Sequence, residues 1–203
     1  MIDLRTSEDW LRRLRRCLDT TLTDVSPAER ALPGLLDGLA ALARDAAAPR
    51  AATEPTAIER YQRIGLADSK RPRYSALAIV WPPGHVSPVH DHGGLWGIEL
   101  VVAGALDIDE YDVLAPQRLR HRHHARLAPG EGAWFGGQRF AHACRNASRY
   151  EPALTLHVYG GDLVNYTVYD DDYDSYDRVP NQARAVIPAA GTAQRHEANL
   201  IIE

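Results

Sequence analysis

The chain has 203 residues, 45% of them hydrophobic and 25% charged, with a formal net charge of −4. That length suffices for one domain with a sizeable core, and the composition excludes collagen-like, coiled-coil and wholly disordered chains. The mildly acidic balance leaves no electrostatic footprint for nucleic acid, no apolar run reaches membrane-span length, and the start MIDLRTSEDW has no hydrophobic signal core.

Taken in chain order, the first elements read as helical. Ser7 suits an N-cap before EDWLRRLRRCLDT, where Trp10, Leu11, Leu14, Cys17 and Leu18 recur at helical spacing. A second helix is expected after Ser26, with Pro27 in its first turn. The pairs Arg12-Arg13 and Arg15-Arg16 read as a solvated helix face. The Pro/Ala/Thr stretch from Ala47 to Thr56 reads as a connector inside one domain. From Tyr74 the texture changes to short strands, YSALAIVW, WGIELVVAG, ALDIDEYDV, HARLAPG, GAWFGG and ALTLHVYG, which suggests a sandwich or small barrel. The acidic, Tyr-laced VYDDDYDSYDR reads as a solvated loop. The expected architecture is mainly β: a single domain over 1–203, with a helical N-terminal cap at 1–60 and a β-barrel at 61–203.

Histidine is the outlier. None of the nine precedes His85, and eight fall between His85 and His157. His90 and His92 stand at i and i+2 after Pro88; on an extended strand both imidazoles share a face and can reach one ion. His142, beyond a glycine-rich turn, is a candidate third ligand. Three neutral imidazoles leave coordination positions open to substrate and oxygen. Further on, period two places Thr155, His157 and Tyr159 on one strand face and Leu154, Leu156 and Val158 on the other. Such a polar row is either solvent-exposed or a hydrogen-bonded network in a barrel interior. By contrast, His121, His123 and His124 sit among Arg118, Arg120, Arg122 and Arg126, whose charge opposes cation binding; a solvated loop is expected there.

The segment Gly84 to Gly104 resembles the first cupin motif, G-x5-HxH-x4-E-x6-G, with Gly97 in the glutamate slot. His142 and Asn146 keep the H-x3-N of the second motif, although Gly137-Gln138-Arg139 replaces its P-x-G. Having lost the acidic ligand and kept three histidines, the chain resembles the cysteine dioxygenase type I family, in its bacterial form, from about Tyr61 to Tyr159. The resemblance rests on HDH, H-x3-N, EPALTLHVY and YQR in the family's order. It implies a cupin, a small jelly-roll β-barrel, and a mononuclear non-haem Fe(II) held by His90, His92 and His142. It further implies Arg63, with Tyr61, as the carboxylate-binding pair, and a hydroxyl–histidine–tyrosine relay in which Thr155 supports His157 and Tyr159.

Under this resemblance the chain is expected to be a thiol dioxygenase that adds O2 to the sulfur of L-cysteine, giving cysteine sulfinate. Neutral imidazoles leave Fe(II) its full charge, so an incoming thiol is deprotonated on binding. Zinc suits three histidines equally but is redox-inert and would imply hydrolysis. Two other readings stand beside this one. The same iron site can serve a 3-mercaptopropionate-like thiol or take cysteine to another oxidised or decarboxylated product; or the chain is a metal- or ligand-binding cupin without activity. Trp96 and Glu99 motivate the first of these and are candidate substrate contacts. Glu99 shares the face of Gly97, where the aligned family position is apolar, and needs a partner in iron, Arg63 or a network hydroxyl. Gly97 also occupies the place of the cysteine that crosslinks to the active-site tyrosine in animal members, so that bond cannot form from it. Cys144 reads as a buried, inert thiol, and His85 lies near the mouth. Only two cysteines occur, too few for a disulfide framework, so a cytoplasmic, reducing location is expected. The expected partners are a small-molecule thiol and O2, with no nucleic acid, no membrane, and a monomer or small homo-oligomer.

Overall fold

The computed structural model describes residues 4–5, 7–23, 28–51, 60–115, 118–137, 139–169 and 183–188. Pro27, the connector beyond Ala51 and the acidic segment beyond Tyr169 lie outside them. Helix α1 (Glu8–Thr21) starts where Ser7 accepts the backbone N–H of Trp10 at 3.1 Å, and buries Trp10, Leu14 and Leu18. Its arginines point outward; Arg12 pairs with Asp9 and Arg13 with Asp45, so the solvated-face reading holds. Helix α2 (Ala28–Ala43) packs beside it through Leu32, Leu35 and Leu39.

The strands are β1 (Leu4–Arg5), β2 (Arg50–Ala51), β3 (Gln62–Lys70), β4 (Arg73–Trp81), β5 (Val89–His90), β6 (Gly97–Ala103) and β7 (Leu106–Ala115). They continue with β8 (Arg118–Leu127), β9 (Gly132–Phe135), β10 (Phe140–Asn146), β11 (Ala153–Tyr159), β12 (Asn165–Tyr169) and β13 (Ala183–Pro188). β1 and β2 form a small ribbon. The rest make a five-stranded sheet, β3-β4-β11-β6-β9, and a six-stranded sheet, β13-β12-β5-β10-β7-β8. Ile79, Trp81, Val101 and Ala153 of the first sheet pack against Leu106, Ile108 and Cys144 of the second. The two sheets therefore enclose an interior, as in a jelly-roll β-barrel.

Alternation explains why β11 is buried along its whole length. Leu154, Leu156 and Val158 join Trp10, Leu14, Leu35 and Leu39 in a core under the two helices, while Thr155, His157 and Tyr159 turn into the barrel. β6 behaves alike: Ile98 and Leu100 face the helices, and Gly97 and Glu99 face inward. The register sets Tyr159 opposite Gly97 and His157 opposite Glu99, and the irregularity of this pair lies at Leu154/Thr155, away from Glu99.

One expectation is corrected. The histidine-rich stretch His121–His124 is part of β8, where a loop was expected. The strand terminates its sheet, and an exposed edge carrying charged side chains resists pairing with other chains. His121 Nε2 and His124 Nδ1 lie 3.1 and 3.0 Å from Asp109 Oδ1, so the rings are exposed as expected but tied to the neighbouring strand.

Candidate metal centre

Local chemistry brings the HxH segment inward. β5 ends at His90, and a tight turn follows, with the N–H of Leu95 donating to the carbonyl of His92 at 3.1 Å. Gly93 has φ 59°, and a Cβ there would fall 2.3 Å from the carbonyl oxygen of Asn165. Asp91, between the histidines, accepts from the backbone N–H groups of Gly93 (3.0 Å) and Thr167 (2.9 Å) and from the Tyr169 hydroxyl (3.0 Å). It moors the segment to β12 and leaves both neighbours free to point the other way. His142, on β10, is the direct cross-strand partner of His90.

The result is a cluster in which ligand nitrogens of His90, His92 and His142 all lie within 4.8 Å of one another. Ring centroids are 5.2 Å apart for His90 and His92, 4.7 Å for His90 and His142, and 4.8 Å for His92 and His142. His90 Nδ1 is 2.9 Å from the Pro88 carbonyl; donating there fixes the tautomer and leaves Nε2 with its lone pair. Both ring nitrogens of His92 are buried with no hydrogen-bond partner among the described residues. A buried, unpartnered nitrogen grouped with ligand atoms of two other imidazoles fits a divalent cation, which would satisfy one of the two open positions on that ring. The rings are also in the right state. Burial pushes His90 down to about 3 and His92 well below the ordinary value, so both are neutral at pH 7, the form in which an imidazole can bind a metal ion.

Aromatic packing holds His92 in place. Phe135 stacks on it at 4.4 Å, and Phe140 stacks on Phe135 at 4.4 Å. Phe135 fills the space over Gly97, where a Cβ would come within 2.3 Å of its ring. The slot that holds glutamate in the cupin motif is thus occupied here by a phenyl ring from β9.

Beside the histidines runs a buried hydrogen-bond chain. Trp81 Nε1 donates to Thr155 Oγ1 (2.8 Å), Thr155 Oγ1 pairs with His157 Nε2 (2.8 Å), and His157 Nδ1 pairs with the Tyr159 hydroxyl (3.1 Å). The polar face of β11 is therefore a network. Burial pushes His157 down to about 4 and raises Tyr159 well above its ordinary value, so both are uncharged at pH 7. Tyr159 stacks against His92 at 5.4 Å, which ends the chain at the histidine cluster.

Tyr61, Arg63, His90 and Tyr166 are partly exposed, while His92, Glu99, His142, His157 and Tyr159 are buried; the first group marks the entrance. Arg63 pairs with no carboxylate among the described residues, yet its charge is felt at Tyr61, His90, His157, Tyr159 and Tyr166. Tyr61 stacks on His85 at 4.9 Å and meets Trp81 edge-on at 5.1 Å; burial pushes its phenol up to about 12. Glu99 Oε1 lies 3.3 Å from His142 Nδ1, and Cys144 donates its thiol to Oε2 at 3.5 Å. Burial alone would raise the Glu99 carboxyl, but His142, His157 and the thiol hold it below the usual glutamate value.

Trp96 lies elsewhere. With Gly97 and Glu99 facing inward, residue 96 faces outward, and its indole packs with the helix-side core beside Gly160. Trp81, Phe135 and Tyr166 were not singled out from the sequence. Period two along YSALAIVW places Trp81 in phase with its inward neighbours, but which polar group it meets depends on β11. Asn146, second residue of H-x3-N, donates to the carbonyls of Pro82 (3.0 Å) and Glu151 (2.8 Å) and braces loops away from the histidines.

A jelly-roll barrel with three converging imidazoles defines a cupin whose interior can hold a metal ion. The chain belongs to the cysteine dioxygenase type I family, which it matches over residues 54–172. It is 25% identical over 114 residues to cysteine dioxygenase type 1 of Danio rerio; the match covers 55% of this chain and 56% of that protein, so the chain spans about half its relative's length. Among solved structures, it is similar to TT1209 of Thermus thermophilus (25% identity, TM-score 0.40), covering 50% of this chain and 84% of that one. It is also similar to KdgF of a Halomonas species (20% identity, TM-score 0.39), covering 53% and 81%. No helix among the described residues is long and apolar enough to cross a membrane.

Proposed function

We propose that the chain is an Fe(II)-dependent thiol dioxygenase that converts L-cysteine to cysteine sulfinate. The observation carrying this reading is the three-histidine cluster with the Trp81–Thr155–His157–Tyr159 chain ending on it. His90, His92 and His142 would hold the iron, which when bound supplies the redox chemistry that joins dioxygen to sulfur. Arg63, partly exposed and without a described counter-charge, would take the substrate carboxylate at the entrance through its planar fork, with Tyr61 alongside. That grip orients the thiol toward the histidines and contributes by positioning. Tyr159 presents a hydroxyl paired with His157 Nδ1, and Thr155, which accepts from Trp81, holds the other edge of that imidazole, so an oriented hydroxyl stands next to His92.

The test is oxygen uptake and product mass after anaerobic loading with Fe(II), using cysteine, 3-mercaptopropionate and cysteamine in turn. Cysteine should be consumed fastest, with both oxygen atoms recovered in the sulfinate. Cysteamine, lacking a carboxylate, should be poor. If cysteamine proves the best substrate the Arg63 assignment fails; preference for 3-mercaptopropionate or a product other than the sulfinate overturns the choice of reaction; and no uptake with any thiol leaves a binding cupin.

A further inference from the structure

Glu99 has no part in the reading above. It is 1% exposed on the interior face of β6, opposite His157. A carboxylate at that depth is costly unless its oxygens are engaged. Oε2 accepts the Cys144 thiol at 3.5 Å. Oε1 makes no well-directed hydrogen bond, but it lies 3.3 Å from His142 Nδ1, and Cys144 Sγ lies 3.8 Å from the same nitrogen. The Nδ1 edge of His142 is therefore faced by a carboxylate and a thiol together.

An imidazole carries its two nitrogens on diverging edges. With Nδ1 turned toward Glu99, His142 has Nε2 left for an ion shared with His90 and His92. The carboxylate then stands behind the ring, out of line for that ion. Contact with a substrate carboxylate is opposed by like charge. What remains is support of the ring itself. His90 receives such support from a neutral acceptor, the Pro88 carbonyl, and His92 has no acceptor among the described residues. His142 alone of the three faces an anion.

We propose that Glu99 is a positioning residue for His142. Its carboxylate accepts a hydrogen bond from Nδ1–H, locks the tautomer that presents the Nε2 lone pair and strengthens that nitrogen as a ligand, while Cys144 steadies the carboxylate from its other oxygen. A carboxylate–histidine pair of this kind both orients a ligand and raises its basicity. The inference rests on His142 being a metal ligand, and is indifferent to which thiol reacts.

The experiment uses the metal-free full chain and cobalt(II) as the probe metal, with affinity from chelator competition and ligand geometry from the cobalt absorption bands. Glu99→Leu should weaken cobalt binding about 10- to 100-fold. Glu99→Gln should weaken it less, because its amide oxygen still accepts the Nδ1 proton. Cys144→Ala should give a smaller loss in the same direction. The metal-free Glu99 variants should melt at or above the wild-type temperature, since a buried charge has been removed, whereas Cys144→Ala keeps that charge and is compared by affinity alone. Wild-type affinity in Glu99→Leu overturns the proposal. So does an affinity loss matched by a lower melting temperature, which would make Glu99 a strand support. A change of coordination number in Glu99→Gln would make Glu99 a direct ligand and overturn it equally. Because no thiol is present, a failure to oxidise thiols would sink the proposed function without touching this result.

Discussion

Tyr159 and Arg63 make opposite demands on the same interior. Tyr159 is buried beside His92 and offers one hydroxyl; Arg63 sits at the entrance and offers a charge. Replacing Tyr159 by Phe removes only the hydroxyl, so turnover of the iron-loaded protein should fall about 100-fold while iron content stays near wild type. Unchanged turnover would take the relay out of the mechanism. Replacing Arg63 by Ala removes a charge-assisted pair worth about 1.5–3 kcal/mol, so KM for cysteine should rise about 10- to 100-fold while the rate with cysteamine barely moves. A parallel loss for both thiols would show that Arg63 acts on the site as a whole.

At the scale of the element, β11 shows how one strand serves two cores. Its aliphatic face supports the helices and its polar face builds the relay, and the register with β4 sets Thr155 and Ile79 opposite each other. Replacing Thr155 by Val preserves shape but leaves Trp81 Nε1 and His157 Nε2 without their shared partner. The cost should be about 1–3 kcal/mol, seen as a lower urea midpoint at unchanged slope, with turnover falling too because His157 is released. A stability loss without a kinetic effect would separate Thr155 from the chemistry. β11 was legible in ALTLHVYG because each face is uniform. β10, FAHACRN, was not, because His142 and Asn146 lie on the inward face while Ala141 on the opposite face is buried, so polarity does not alternate with burial. β5 was expected to run through His92 but ends at His90 after two residues, and β3 is interrupted by Gly65 and a register shift. β8 looked like a loop because an edge strand facing solvent does not alternate.

For the whole molecule the relevant quantity is how many imidazoles the fold keeps neutral. Burial pushes His157 down to about 4 and His92 well below its ordinary value, whereas the unfolded chain protonates these rings near pH 6.5. Between those limits the unfolded state binds more protons than the native state. Stability of the metal-free protein is therefore full above about pH 7 and is lost as pH falls toward 4, by up to about 1.4 kcal/mol per pH unit for each such histidine. His90, pushed to about 3 but partly open at the entrance, adds a smaller share in the same direction. Urea midpoints at pH 7.5 and pH 5 measure this; equal values would mean that the rings are solvated. Metal loading should steepen the loss, since protons and the ion compete for the same nitrogens.

Much of the centre could be read from the chain alone. The i, i+2 spacing of His90 and His92, the polar row Thr155, His157 and Tyr159, and the missing acid at Gly97 are local patterns. Strand periodicity converts the row on β11 and the position of Gly97 into inward faces, while the expected strand through both histidines ends at His90 and the turn beyond it brings His92 in. Tertiary structure decided what stands against those faces. It set Phe135 over Gly97, Trp81 on Thr155 and the Glu99 carboxylate on the far edge of His142, and it turned Trp96 toward the helices. The physical reason is distance along the chain. A side chain's direction follows from its own strand within a few residues, whereas its partner arrives from a strand tens of residues away through register and packing, which no local pattern records.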